Sequence, residues 1–301
     1  MRRDQRGSSD YWDGWVKYKE DHIPRMWLVL KEEGGDLNYR PQYAFEIVKN
    51  YLEQILRRYS RGDAVVDLPH YFSGLLDAWE TAENLGENVW SDDVQYTRHS
   101  WSVNLDHYVR CFWLTGLALV MNIPDEQWVR LLTLMGNEGE DALLDKIISS
   151  RQVGRRVGDK LCYPKVYRKL LEVTESPVDR RSEMLYDFVD GWFASLKDAG
   201  APSFPRSFRT PYWWVFCDNE KVGMNGAYFG CWCIEAVVVA KVFDIDDRLC
   251  LSHPSYPGDL LQDGRSPSYP DSAIPSIAER PVTPSSPQPP KSLFSRFLGK
   301  L

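Results

Sequence analysis

The sequence predicts an all-α protein, two packed helical domains followed by a disordered tail rich in proline and serine. Three observations carry that expectation. Apolar residues recur at spacings of three and four over Tyr43 to Arg58 and again over Leu68 to Leu85, the period of helices that bury one face. Runs of period two are scarce; YWWVF at 212–216 is the best strand candidate and reads equally well as the start of a helix. From Ala227 to Phe243 the ionisable side chains are Tyr228, Cys231, Cys233, Glu235 and Lys241, so this stretch reads as a helix buried on most sides.

Taken in order, the first amphipathic helix places Ala44, Ile47, Val48, Leu52, Ile55 and Leu56 inward and Glu46, Lys49, Glu53 and Arg57 outward, and Gly62 ends it. The second turns Phe72, Leu75, Leu76, Trp79 and Ala82 to the core. Val94 to Asn122, with CFWLTGLALVM, reads as one longer and more buried helix, and Pro124 starts the next. Gln127 to Leu134, Asp141 to Ile148, Val166 to Val173 and Arg181 to Ala199 follow as shorter helices, with Pro164 and Ser182 as capping residues. The expected organisation is an N-terminal extension over 1–39, helical domains over 40–150 and 151–262, and a tail over 263–301.

That tail holds eight prolines between Pro267 and Pro290 amid serine, with too little apolar area to offset the entropy of ordering. Its last residues, KSLFSRFLGKL, space Leu293, Phe294, Phe297, Leu298 and Leu301 helically, which leaves open a short docking helix on a partner or a membrane surface.

Composition sets the functional classes. A chain of 301 residues, 43% hydrophobic and 26% charged, buries a sizeable core without disulfides. The six cysteines lack framework spacing and read as reduced core thiols; Cys231 and Cys233 point to different faces and form neither a zinc knuckle nor a redox pair. Residues 1–15 contain no apolar run of signal-peptide type, and Glu235 interrupts the most apolar segment, so the expected location is the cytoplasm without stable membrane insertion. The five histidines form no HExxH arrangement, and no phosphate-cradling glycine loop or GxSxG elbow is present. Asp92-Asp93 and Asp246-Asp247 lack the third acid a magnesium box requires and read as helix caps or solvated acids. The expectation is therefore a non-enzyme without cofactor or metal; the competing class is a metal-independent helical hydrolase or lyase using Glu235 and His253.

The richest segment is YFGCWCIEAVVVAKVFDIDDRLCLSHPSYPGDLL, from Tyr228 to Leu261. A carboxylate at Glu235 inside such a run costs several kcal/mol unless donors meet it, with Tyr228, Tyr256, His253, Arg206 and Arg209 as candidates. Pro254, Pro257 and Gly258 make the following loop a rigid return. The order of parts, Tyr228, Trp232, Glu235, the Asp246-Asp247 helix stop, then His253, Tyr256, Pro257 and Asp259, resembles the C-terminal domain of PoNi immunity proteins. These bacterial proteins neutralise PoNe polymorphic DNase toxins, the kind of effector used in bacterial competition and type VI secretion. YLEQILRRYSRG and the helices bearing Trp79 and Trp113 look like the family's N-terminal domain. The resemblance spans about residues 40 to 262 and implies a cytoplasmic antidote whose partner is a cognate DNase toxin encoded nearby.

Charge accords with such a partner. The net charge is −7, and because the tail holds five basic and three acidic residues, the body stands at −9. Thirteen acids between Asp77 and Asp145 face only Arg98, Arg110 and Arg130. Nucleic-acid binding by such a face is disfavoured, whereas a DNase must present a basic groove. Asp92, Asp93, Glu138, Glu140 and Asp141 are the candidate toxin-binding residues; solvated helix faces are the alternative.

Overall fold

The chain is described from a computed structural model over residues 1–32, 36–204 and 209–270. Residues Met1–Asp271 form one compact unit, and no strand occurs among the described residues. The helices are α1 (Ser9–Lys31), α2 (Arg40–Arg61), α3 (Tyr71–Gly86), α4 (Asp92–His99), α5 (Leu105–Val120), α6 (Asp125–Met135), α7 (Leu144–Ser149), α8 (Pro164–Glu175), α9 (Val178–Ser195), α10 (Trp214–Asp218), α11 (Glu220–Gly223) and α12 (Ile234–Val242).

In the N-terminal half α2 lies between α1 and α3, with α6 against α3. The first helix packs into the core: Ser8 caps α1 by accepting from the Tyr11 amide, and Trp12, Val16, Ile23, Met26 and Leu30 are buried. Gly62 ends α2 at φ +103°, its amide reaching the Arg58 and Tyr59 carbonyls. A Cβ at this position would also strike the Met1 carbonyl oxygen, so glycine serves both the turn and the passage of the first residues alongside it.

The halves meet at α5 and α12. Every residue of α5 except Asp106 is buried, as is every residue of α12 from Ile234 to Ala240, the state expected of helices apolar all round. They approach so closely that a Cβ on Gly116 would lie 2.8 Å from Ile234 Cγ2 and 3.4 Å from Val238 Cβ. Around this pair stand α7, α8 and α9, with α8 and α9 packed on each other.

Several boundaries differ from those read in the sequence. The single helix expected over Val94–Asn122 breaks into α4 and α5, because Asn104 accepts from the His107 amide as an N-cap and Asn137 donates to the His99 carbonyl at 2.8 Å. The long apolar helix from Ala227 shortens to α12, as Cys233 donates its amide to the Ser255 carbonyl instead of to a helical turn. The YWWVF segment resolves as the start of α10. Within the expected tail, residues 263–270 are held to the body, with Tyr269 and Arg2 exchanging backbone hydrogen bonds at 2.8 and 3.0 Å. Residues 271–301, including KSLFSRFLGKL, lie outside the described residues.

The α5–α12 contact yields a paired expectation. Gly116→Ala forces Ile234 or the backbone to shift, and the overpacking cost of about 1–3 kcal/mol exceeds the ~1 kcal/mol gain in helix propensity. Gly14, inside α1 with open space about it, should become more stable by about 0.5–1 kcal/mol on Gly14→Ala. Urea midpoints moving in opposite directions meet this expectation; a stabilised Gly116→Ala contradicts the close approach.

Candidate functional site

The motif segment folds back onto the first residues of the chain. Tyr228 donates to Asp4 Oδ2 at 2.5 Å, and Trp232 Nε1 donates to Ser60 Oγ at 2.8 Å while its ring stands edge-on to Tyr59. Arg3 Nε donates to Asp259 Oδ2 at 2.6 Å, and its other nitrogens reach Asp263 Oδ1 and the Tyr59 and Asp63 carbonyls. Asp247 accepts from Tyr256 at 2.6 Å and from both terminal nitrogens of Arg265 at 2.5 and 2.9 Å. The Ser266 amide closes the ring on Asp259 Oδ1. Pro257 opens the short 3₁₀ turn Gly258–Leu260 that aims Asp259 inward.

Asp4, Asp247 and Asp259 are thus buried, and donors meet each of them. Burial raises the Asp4 carboxyl above its usual range, against the pull of the Tyr228 hydroxyl, the Arg6 amide and nearby arginines. Asp246 instead faces solvent, paired with Arg248, whose hydrogen bonds hold it down at about 2. A cleft of about 50 Å³ remains between the two segments, lined by Arg3, Asp4, Arg6, Tyr228, Trp232, His253 and Tyr256 among others. Burial lowers the His253 pKa, opposed by Asp190 at 3.8 Å. The arrangement is a clasp: its acids and cations are spent on one another.

Glu235 is absent from this cleft. It is 0% exposed in the first turn of α12, and its Oε1 accepts from Tyr167 at 3.0 Å and Trp192 Nε1 at 3.3 Å. Those donors replace Tyr228, Tyr256, His253 and Arg209; Arg206 lies outside the described residues. Oε2 makes no hydrogen bond, and Trp113 Nε1, likewise unpaired, stands near enough to favour the ionised form. Burial raises the carboxyl to about 7, partly opposed by its own backbone amide and by Tyr167, Trp113 and Trp192. A general-base pairing of Glu235 with His253 is therefore not assembled: one sits in the core, the other on the clasp.

The acidic candidates separate into two groups. Asp92 and Asp93 open α4 and Glu140 follows α6, all exposed; Glu138, also exposed, accepts from the Arg156 amide at 2.8 Å. Asp141 is a correction: it is 0% exposed, where Oδ1 accepts from the Leu143 and Leu144 amides and Tyr108, and Oδ2 from the Cys162 amide. It caps the turn before α7 and offers no surface charge. Asp145 is also internal, paired with Arg155 at 2.7 Å. The loop holding Glu138 meets the C-terminal end of α4 through Asn137, whereas Asp92 and Asp93 sit at the other end, about 12 Å along an eight-residue helix. Among the described residues no three His, Cys, Asp or Glu side chains converge as metal ligands.

Two outcomes test these geometries. A chain truncated after Gln262 loses Asp263, Arg265 and the Tyr269 bridge, leaves Asp247 buried without its cation, and should lose about 3 kcal/mol or more; truncation after Asp271 should leave the melting temperature unchanged. For Glu235, the folded pKa of about 7 exceeds the ordinary carboxyl value of 4.5, so the folded state holds its proton longer. The associated stability, about 3 kcal/mol, is complete below pH 4.5 and is lost as pH rises through 7. Glu235→Gln should match the wild type near pH 5 and exceed it at pH 8, while Glu235→Ala, which strands Tyr167 and Trp192, should be weaker at both. A wild-type stability that rises across this window relative to Glu235→Gln would reverse the assignment.

The comparisons with known proteins cover the same body. The N-terminal family model of PoNe immunity protein (PoNi) matches residues 3–133, and the C-terminal model of the same family matches residues 139–260. The first residues, expected to lie outside the resemblance, therefore lie within it. The fold is similar to that in "The Crystal Structure of Protein PA2201 from Pseudomonas aeruginosa", with a TM-score of 0.62 and 14% identity over 88% of this chain and 91% of that one. No curated protein matches the chain. With both of its halves matched in order, and Arg3, Asp4, Tyr228, Trp232, Asp247, Tyr256 and Asp259 of the clasp falling inside the two matches, the chain belongs to the PoNi family of PoNe immunity proteins.

Proposed function

We propose that this chain neutralises a cognate PoNe-type DNase toxin in the cytoplasm by binding it, and that it performs no reaction itself. The observation that carries this reading is the family match across both halves. It is supported by the clasp, whose Asp4, Asp247 and Asp259 are each engaged by donors of the same chain, leaving none of them free for acid–base work. No helix among the described residues is long and apolar enough to cross a membrane.

Electrostatics suggests how the partner is met. A nuclease that holds DNA presents cations to phosphate, and the exposed Asp92, Asp93, Glu138 and Glu140 offer the opposite sign. Their contribution should fall mainly on the association rate. Asp141, being buried, is withdrawn from the set.

Co-expression with a PoNe toxin from the same genome should spare host DNA, and the pair should co-purify. Combined charge reversal of Asp92, Asp93, Glu138 and Glu140 should slow association about tenfold at low salt, and 0.3 M salt should slow the wild type comparably. Association rates indifferent to both changes remove the electrostatic part; DNA degradation despite co-expression removes the antidote reading.

A further inference from the structure

Helix α4 is the most weakly embedded helix of its length in the described body. None of its eight residues is buried, and it touches its neighbours through Arg98 over the Phe45 ring of α2, His99 beside Glu83 of α3 and His99 against the His107 ring of α5. It is held from its inner side and C-terminal end: Arg98 lies over the Trp90 ring, His99 Nε2 is 3.2 Å from Glu83 Oε1, and Asn104 and Asn137 donate to the carbonyls of Arg98 and His99. Gln95, Arg98 and His99 are half-buried, so the opposite face, carrying Asp92, Asp93 and Tyr96, looks into solvent.

That outward face has a particular composition. Tyr96, at 61% exposure, is the most exposed aromatic residue among those described. Asp92 and Asp93 stand four and three positions before it, hence one helical turn away on the same face, and no cation among the described residues pairs with either. An eight-residue helix with no buried side chain contributes little to stability. A ring flanked by two carboxylates is complementary to a guanidinium or ammonium group, which can stack on the ring and pair with the acids together. Tyrosine is also among the residues that most often dominate binding energy.

We infer that the outward face of α4 is the toxin-docking surface, with Tyr96 as its anchor, and that its occupant is the basic DNA-binding cleft of the PoNe nuclease. The inference rests on the proposed function and adds to it the element and the residue. Arginine or lysine side chains that would otherwise hold DNA phosphates meet Tyr96, Asp92 and Asp93, so DNA and this chain compete for one cleft.

The test uses the full chain and a catalytically inactivated PoNe nuclease domain from the same genome. Tyr96→Ala removes no buried contact and should leave the melting temperature unchanged, yet weaken binding at least thirty-fold, about 2 kcal/mol, chiefly through faster dissociation. Tyr186→Ala, on α9, should bind like the wild type, and duplex DNA should displace the wild-type chain from the nuclease. Wild-type binding with Tyr96→Ala within threefold of it overturns the inference and spares the proposed function. The same holds if Tyr96→Ala alters only self-association, which would assign the face to a second copy. Failure of the wild type to bind removes both.

Discussion

A carboxylate withdrawn from water must be met by donors, and this constraint organises the protein. Asp4, Asp141, Asp145, Glu235, Asp247 and Asp259 are all buried, and each is reached by an arginine, tyrosine, tryptophan or backbone amide. Leaving one unmet would cost several kcal/mol, a large share of a domain's net stability. The chain therefore closes on itself: Arg3 is brought to Asp259 across 256 positions, and Tyr167 and Trp192 are brought to α12. The helices supply the apolar area, and the buried acids fix which segments face one another.

This division sorts the acids by role. Those in the clasp and core are each met by donors of the same chain and hold the first residues, α12 and the motif loop in place. Asp92 and Asp93 on α4 and Glu138 and Glu140 after α6 face water. Sequence clustering alone merges the two kinds, which is how Asp141 entered a set of surface candidates. Its neighbours carried the signal: Asp141 stands two and three residues before Leu143 and Leu144, the amides it caps, a position where an aspartate turns inward to a helix start.

Much of the fold was legible because helical periodicity is local. The buried face of α2, its stop at Gly62 and the apolar run of α5 follow from residues close in sequence. The burial of Glu235 was legible for the same reason, since its neighbours are apolar all round. Its partners were not, because a donor 43 or 68 positions away leaves no mark near the acid it serves. The first residues misled for a related reason. Arg2, Arg3 and Arg6 have the composition of a solvated terminus, and only the motif loop folding back on them reveals that Arg3 and Asp4 are buried. The break between α4 and α5 was encoded in Asn104, whose capping role competes with an apolar pattern that runs through it.

The central claim is that buried acids build this protein while exposed acids on α4 meet its partner. Amide hydrogen exchange of the full chain with and without an inactivated PoNe nuclease domain tests it most directly. The account predicts slowed exchange on binding in Asp92–His99 and the loop around Glu138, with Tyr228–Asp259 and the first six residues unchanged. Protection concentrated in the clasp, with α4 exchanging as freely as in the unbound chain, would contradict it.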